Sequence, residues 1–163
     1  MSTITYTTNI AGIKVSIEKA CARILQKVAN EVSLMIKDNF LNESFFGNRW
    51  KEVNRRKWHK QKFKTKSGHT KQRTIPPVRG AAGRRRILTG STGNLRRSIR
   101  YKIEGNTLTI YSDAIYAKIH NEGGMAGRGL KVRIPKRQFI GDHPRLRAKI
   151  AEIVENELKN LRL

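Results

Sequence analysis

An α+β fold is predicted, with a long N-terminal helix and a C-terminal helix packed on a small, mostly antiparallel β-sheet. Three observations predict it. Apolar residues recur at three- and four-residue steps near both ends of the chain, while two alternating apolar runs flank Gly105-Asn106 between them. The third observation is a cationic stretch without apolar periodicity, which adds a long basic loop to the fold. At 163 residues the chain has the length of one domain, 1–163, with 51–87 as a basic insertion loop.

The N-terminal helix is expected over 13–41. Its stripe is Ile17, Ala20, Cys21, Ile24, Leu25, Val28, Val32, Met35, Ile36 and Phe40. Cys21 falls on that stripe and reads as a core residue. Residues 1–12 read as a short strand or a loose arm. Gly47-Asn48 is the expected turn after the helix. Thr92 or Asn94 could cap a short helical turn carrying Leu95. Ile99, Tyr101 and Ile103 alternate with polar residues, as do Leu108 and Ile110, which predicts a β-hairpin turning at Gly105-Asn106. Residues 114–120 suit a short helix or strand, 122–129 a flexible glycine-rich loop, and 131–134 a short strand ended by Pro135. The last helix is expected over 144–162, with Pro144 in its first turn and Leu146, Ile150, Ile153, Val154, Leu158 and Leu161 along one side.

Charge is the strongest compositional signal. Lys and Arg number 35 against 12 Asp and Glu, a formal net charge of +23. The excess is concentrated: residues 51–100 hold 17 basic and 1 acidic residue. A compact chain with this charge repels itself unless a polyanion is near. Lys60, Lys62, Lys64 and Lys66 fall at every second position, so an extended strand would place them on one face. Arg84, Arg85 and Arg86 make a second run. These residues suit contact with phosphates and carry no pattern for reading bases, so the expected nucleic-acid binding is sequence-independent and salt-sensitive.

Several classes are excluded or disfavoured by the same residues. No run of 18 apolar residues exists, so no transmembrane helix or membrane partner is expected. The first residues lack the pattern of a secretory signal. One cysteine allows neither an intrachain disulfide nor a thiolate zinc site. His59, His69, His120 and His143 have no metal-ligand spacing, and no cofactor is expected. Asp113, Glu122 and Asp142 are the only carboxylates worth weighing for a metal-dependent nuclease, and their contexts do not fit one. No catalytic residue is assigned.

Four elements then occur in a fixed order: Phe45-Phe46-Gly47-Asn48-Arg49-Trp50, the segment from Ile87 to Ile99 containing Thr92-Gly93-Asn94-Leu95, Tyr116-Ala117-Lys118-Ile119-His120-Asn121-Glu122-Gly123-Gly124, and Ile134-Pro135-Lys136-Arg137-Gln138-Phe139-Ile140-Gly141. This order, with a helix at each end, resembles the phage virion morphogenesis family, the tail-completion proteins that include the Mu G-like group. Ile140 stands where that family usually has Leu, a volume-conserving change. The resemblance implies a non-enzymatic component at the neck or head-proximal tail end of a tailed-phage virion, assembled in the host cytoplasm. It implies a homo-oligomeric ring of roughly six copies, closed by heterologous contacts. Its partners would be neck and tail-tube proteins and, electrostatically, the DNA in the channel. A free, sequence-independent nucleic-acid-binding protein is the alternative. Tyr111, Tyr116, His120 and Phe139 are expected to anchor the hairpin against the helices, with Trp50 covering one end of the core.

Overall fold

The computed structural model describes residues 10–130 and 132–160, with side chains at 17–129 and 132–160. The expected arm at 1–12 lies outside them except for 10–12, which are helical. Helix α1 runs from Ile10 to Asn42, followed by β1 (Ser44–Phe45), β2 (Asn48–Arg49), a 3-10 turn (Asn54–Arg56), β3 (His59–Lys64) and β4 (Thr70–Ile75). Then come α2 (Gly80–Arg84), α3 (Asn94–Arg97), β5 (Ile99–Glu104), β6 (Thr107–Ser112), α4 (Ala117–Glu122), β7 (Gly124–Ala126), a 3-10 turn (Arg128–Leu130), β8 (Val132–Ile134) and α5 (Pro144–Lys159). The α+β class with a helix at each end is present. Among the described residues the strands form four two-stranded ladders, β1-β2, β3-β4, β5-β6 and β7-β8, so the expected β component is built as small paired ribbons. Each pairs with its nearest neighbour in sequence because each is joined by a short connection.

Contacts divide the chain into two compact units. Unit 1 comprises 1–35, 100–111 and 142–163, and unit 2 comprises 36–99 and 112–141. In unit 1 the buried face of α1 is Ala20, Val28, Ala29 and Val32, and Leu146 is the buried residue of α5. Lys27 Nζ donates to Glu157 Oε1 at 2.5 Å, and Gln26 Nε2 donates to the Tyr101 hydroxyl at 2.5 Å. Cys21 is exposed, contrary to expectation: it lies on the same side of α1 as Val28 and Val32, but this N-terminal part of the helix is little covered, with Ile17 exposed as well and Ala20 the buried residue there. Leu158, also expected on the stripe of its helix, is 54% exposed.

In unit 2 the core is aromatic. Phe40 and Phe139 are both fully buried, with ring centroids 5.2 Å apart. The Trp50 ring meets Phe40 edge-on at 5.5 Å, and its Nε1 donates to Gln138 O at 2.7 Å. Ile36, Phe45, Ile87, Leu95, Ile99 and Ala117 complete the buried set. Phe139 is placed by its backbone: Asn121 Oδ1 accepts from Phe139 N at 2.9 Å and from Ile140 N at 3.0 Å.

Four local expectations are corrected. The turn after α1 is Phe46-Gly47, one residue earlier than expected, with Phe45 paired to Asn48. Both turn residues have positive φ, 50° and 103°, as a two-residue hairpin turn of this hand requires. Phe46 tolerates it because its N–H donates to Asn39 Oδ1 at 3.0 Å. Gly93, at φ 66°, occupies the N-cap of α3 without a side-chain cap, in place of Thr92 or Asn94. The glycine-rich segment 122–129 is partly ordered, since Gly124–Ala126 pairs with Val132–Ile134. Tyr111 and Tyr116 are 41% and 39% exposed and do not serve as buried anchors. In β6 the inward positions are Leu108, Ile110 and Ser112, so the strand's alternation sends Tyr111 to the other side.

Candidate nucleic-acid interface

The basic segment 51–87 carries regular structure. Residues 59–75 form an antiparallel hairpin in full register from His59↔Ile75 to Lys64↔Thr70. Its turn is closed by Thr65 N donating to His69 O at 2.9 Å and Gly68 N donating to Thr65 O at 3.0 Å. Alternation sorts the side chains. Lys60, Lys62 and Lys64 share one face with Thr70, Gln72 and Thr74 across the ladder. His59, Gln61 and Phe63 share the other with Lys71, Arg73 and Ile75, and Arg73 lies over the Phe63 ring at 5.5 Å while donating to Gln61 Oε1 at 3.1 Å. Lys66 sits in the turn and is not part of the three-lysine row.

No residue from 53 to 103 is acidic. Among the described residues, the hairpin lysines make no ion pair, and all of them are exposed. Trp58, immediately before the hairpin, is 66% exposed. The hairpin is therefore a two-stranded cationic surface with polar residues between its charges and an aromatic at its base.

Arg84, Arg85 and Arg86 belong to a different element. Arg84 ends α2, and the next two residues leave it. Their backbone is held from the 3-10 turn: Arg55 Nη2 donates to Arg85 O at 2.7 Å and to Arg86 O at 2.9 Å, and Arg56 Nη2 donates to Arg85 O at 2.6 Å. Their side chains stay exposed. Gly83 fits here because a Cβ would strike the carbonyl of Val78.

The sequence reading missed the residue that organises this region, Glu43. It follows α1 in the left-handed region at φ 51°. Its carboxylate accepts from Arg56 Nη1 at 2.7 Å and Nη2 at 2.5 Å, a forked pair, and from Ile87 N at 2.7 Å. The Arg56 fork and the Ile87 N–H hold the Glu43 carboxyl below the usual carboxylate range, and Arg56 is raised in turn. The only sequence signal was Glu43 standing as the last carboxylate but one before a run of cations.

His120 is one of the residues expected to anchor the hairpin. It is half-buried, its ring lies edge-on to Tyr116 at 5.9 Å, and its carbonyl accepts from Arg137 N at 2.8 Å. Burial, then the Arg137 charge, pushes its pKa below the ordinary value. The native His120 is neutral where the unfolded chain would take a proton, below about pH 6.5. Its contribution is complete above that value and falls as pH drops. Glu43 contributes fully above about pH 4.5 and loses its contribution as pH falls through its lowered native value. Thermal unfolding followed from pH 7.5 to pH 3.5 should therefore weaken in two stages. His120→Gln should flatten the first stage and Glu43→Gln the second; a first stage unchanged in His120→Gln would refute its assignment.

Among the described residues, no group of three or more His, Cys, Asp or Glu side chains could hold a metal ion, and no helix is long and apolar enough to cross a membrane. Asp142, weighed earlier as a carboxylate, is paired with Arg147.

A profile of the phage virion morphogenesis family matches residues 14–159. The chain belongs to the phage virion morphogenesis family. It is also 40% identical over 65 residues to the Mu-like prophage FluMu G protein 2 of Haemophilus influenzae. That match covers 40% of this chain and 47% of the relative, so the chain spans about half of that protein's length. No solved structure matches. Membership of this family ties the chain to phage virion morphogenesis. The four sequence elements that carried the resemblance lie within the matched range. All four supply buried residues to unit 2, among them Trp50, Leu95, Ala117 and Phe139.

Proposed function

We propose that this protein is a tail-completion component at the neck or head-proximal end of the tail, working as a ring of roughly six copies around the DNA channel. The observation that supports this reading is the β3-β4 hairpin: a cationic surface free of carboxylates, on a chain whose family builds virions. Phosphates passing a ring need neutralisation without base reading, and lysines at alternate positions supply it as sequence-blind point charges. The buried aromatic core and the Glu43-Arg56 pair hold that surface and take no part in chemistry, consistent with a non-enzymatic role.

Deleting the gene from an inducible prophage and imaging the lysate tests this. Heads and tails should accumulate without joining or with defective tail ends, and wild-type protein supplied in trans should restore infectious particles. Normal particles in its absence would overturn the reading.

A second reading, a free nucleic-acid-binding protein, is favoured by exposed Trp58 beside the hairpin, which could stack on unpaired bases. It requires tighter binding to single strands than to duplex and loss of that preference in Trp58→Ala.

A further inference from the structure

Away from the hairpin, unit 2 contains a cavity of about 340 Å3 between the 3-10 turn, the Leu88–Asn94 loop and helix α4. Its chemistry is one-sided. Arg55, His120 and Arg137 line it with the hydroxyl-bearing residues Thr89, Thr92 and Tyr116, and no carboxylate does. We propose that this cavity is a binding site for a single small oxyanion, a phosphate or carboxylate group, held by the Arg55 and Arg137 guanidiniums.

The two arginines are the main argument. Arg137 is only 7% exposed, and Arg55 is partly buried. A guanidinium removed from water normally faces a carboxylate. Neither does so among the described residues. Arg137 Nε donates to the carbonyl of Lys51 at 2.8 Å, and Arg55 Nη2 donates only to carbonyls. Two acids lie nearby: Glu43 has both oxygens on Arg56, and Glu52, 3.7 Å from Arg56, acts on Arg55 and Arg137 only through its charge, with no hydrogen bond to either. Burial first, then neighbouring cations, lower the pKa of Arg55 and of Arg137, and the nearby carboxylates, Glu43 and Glu52 for Arg55 and Glu52 for Arg137, offset this only in part.

The unmet hydrogen-bonding capacity is the second argument. Arg55 Nε and His120 Nδ1 are buried and meet no partner. Buried polar atoms without partners are uncommon, and each calls for a reason. Two of them at one cavity, beside two only partly compensated cations, are accounted for together by one anionic acceptor. The rim adds a further donor. Asn94 Nδ2 donates to the Tyr116 hydroxyl oxygen at 2.9 Å, leaving the phenolic proton to be donated elsewhere. The loop wall is also under backbone strain, with Leu88 at φ 62°, which fits a wall shaped for a ligand. The volume admits an oxyanion with a short stem and excludes a duplex, so this site is separate from the hairpin and does not depend on the function proposed above.

The test uses the full chain at about pH 7. Inorganic phosphate and acetate are titrated separately, each against chloride at matched ionic strength, while the Arg55 Nε–H and His120 ring resonances are followed by NMR. A saturable shift of Arg55 Nε–H with either probe is expected, and which probe gives it identifies the oxyanion class. Arg55→Gln should weaken the binding, read calorimetrically, by about tenfold or more. The triple change Lys60→Gln, Lys62→Gln, Lys64→Gln should leave it unchanged, which separates this cavity from general anion attraction to a basic protein. The wild-type resonances decide the matter even if Arg55→Gln folds poorly. An Arg55 signal unmoved by both probes, a shift that never saturates, or loss of the effect in the hairpin variant would each overturn the proposal.

Discussion

Phe139→Ala is expected to destabilise unit 2 by about 3–5 kcal/mol, the cost of emptying a fully packed aromatic site. The ring has no exposed surface and touches Phe40, which in turn carries Trp50 edge-on. Removing it leaves a void that the neighbours cannot close, because each is fixed independently. Trp50 is tied through Nε1 to Gln138 O, and Asn121 holds the backbone of both Phe139 and Ile140. Total stabilities of about 5–15 kcal/mol leave little after such a loss. Urea unfolding followed by Trp50 fluorescence, in a Trp58→Phe background to remove the exposed second indole, reads it directly. A loss under about 1 kcal/mol would mean that this cluster is not the core.

The second large effect concerns binding. Replacing Lys60, Lys62 and Lys64 together with Gln should weaken duplex DNA binding on the order of a hundredfold at about 0.1 M salt. The slope of log affinity against log salt should fall by about 2.7, since each phosphate contact contributes about 0.9. Fold stability should hardly change, because the three side chains are exposed and unpaired with any carboxylate. Fluorescence anisotropy with a short duplex at several salt concentrations checks this. Uniform losses across unrelated sequences are expected. An unchanged slope would remove the hairpin from the proposed interface and leave Arg84, Arg85 and Arg86 as the remaining candidate.

Much of the fold was legible in the residues. The stripe through Val28, Val32, Ile36 and Phe40 required a helix, and the alternation on either side of Gly105-Asn106 required a hairpin. The order of four short elements was enough to place the chain beside its family. The basic hairpin was only half legible. Lysines at alternate positions fit a strand, yet the segment has no apolar face, and the usual signal for a strand is one buried side. Residues 59–75 pair through backbone hydrogen bonds and cross-strand polar contacts, which leave little trace in hydropathy.

The sequence by itself determined the periodic elements and the sign and location of the charge, because both follow from residues near each other in the chain. Only the tertiary structure decided which charges are neutralised. Glu43 takes Arg56 across 13 positions and Ile87 across 44, while among the described residues Arg55 and Arg137 hydrogen-bond to carbonyls and to no carboxylate. Spacing cannot encode that outcome, because the affinity of a carboxylate for one guanidinium over its neighbours depends on distances set only once Phe40, Trp50 and Phe139 have packed.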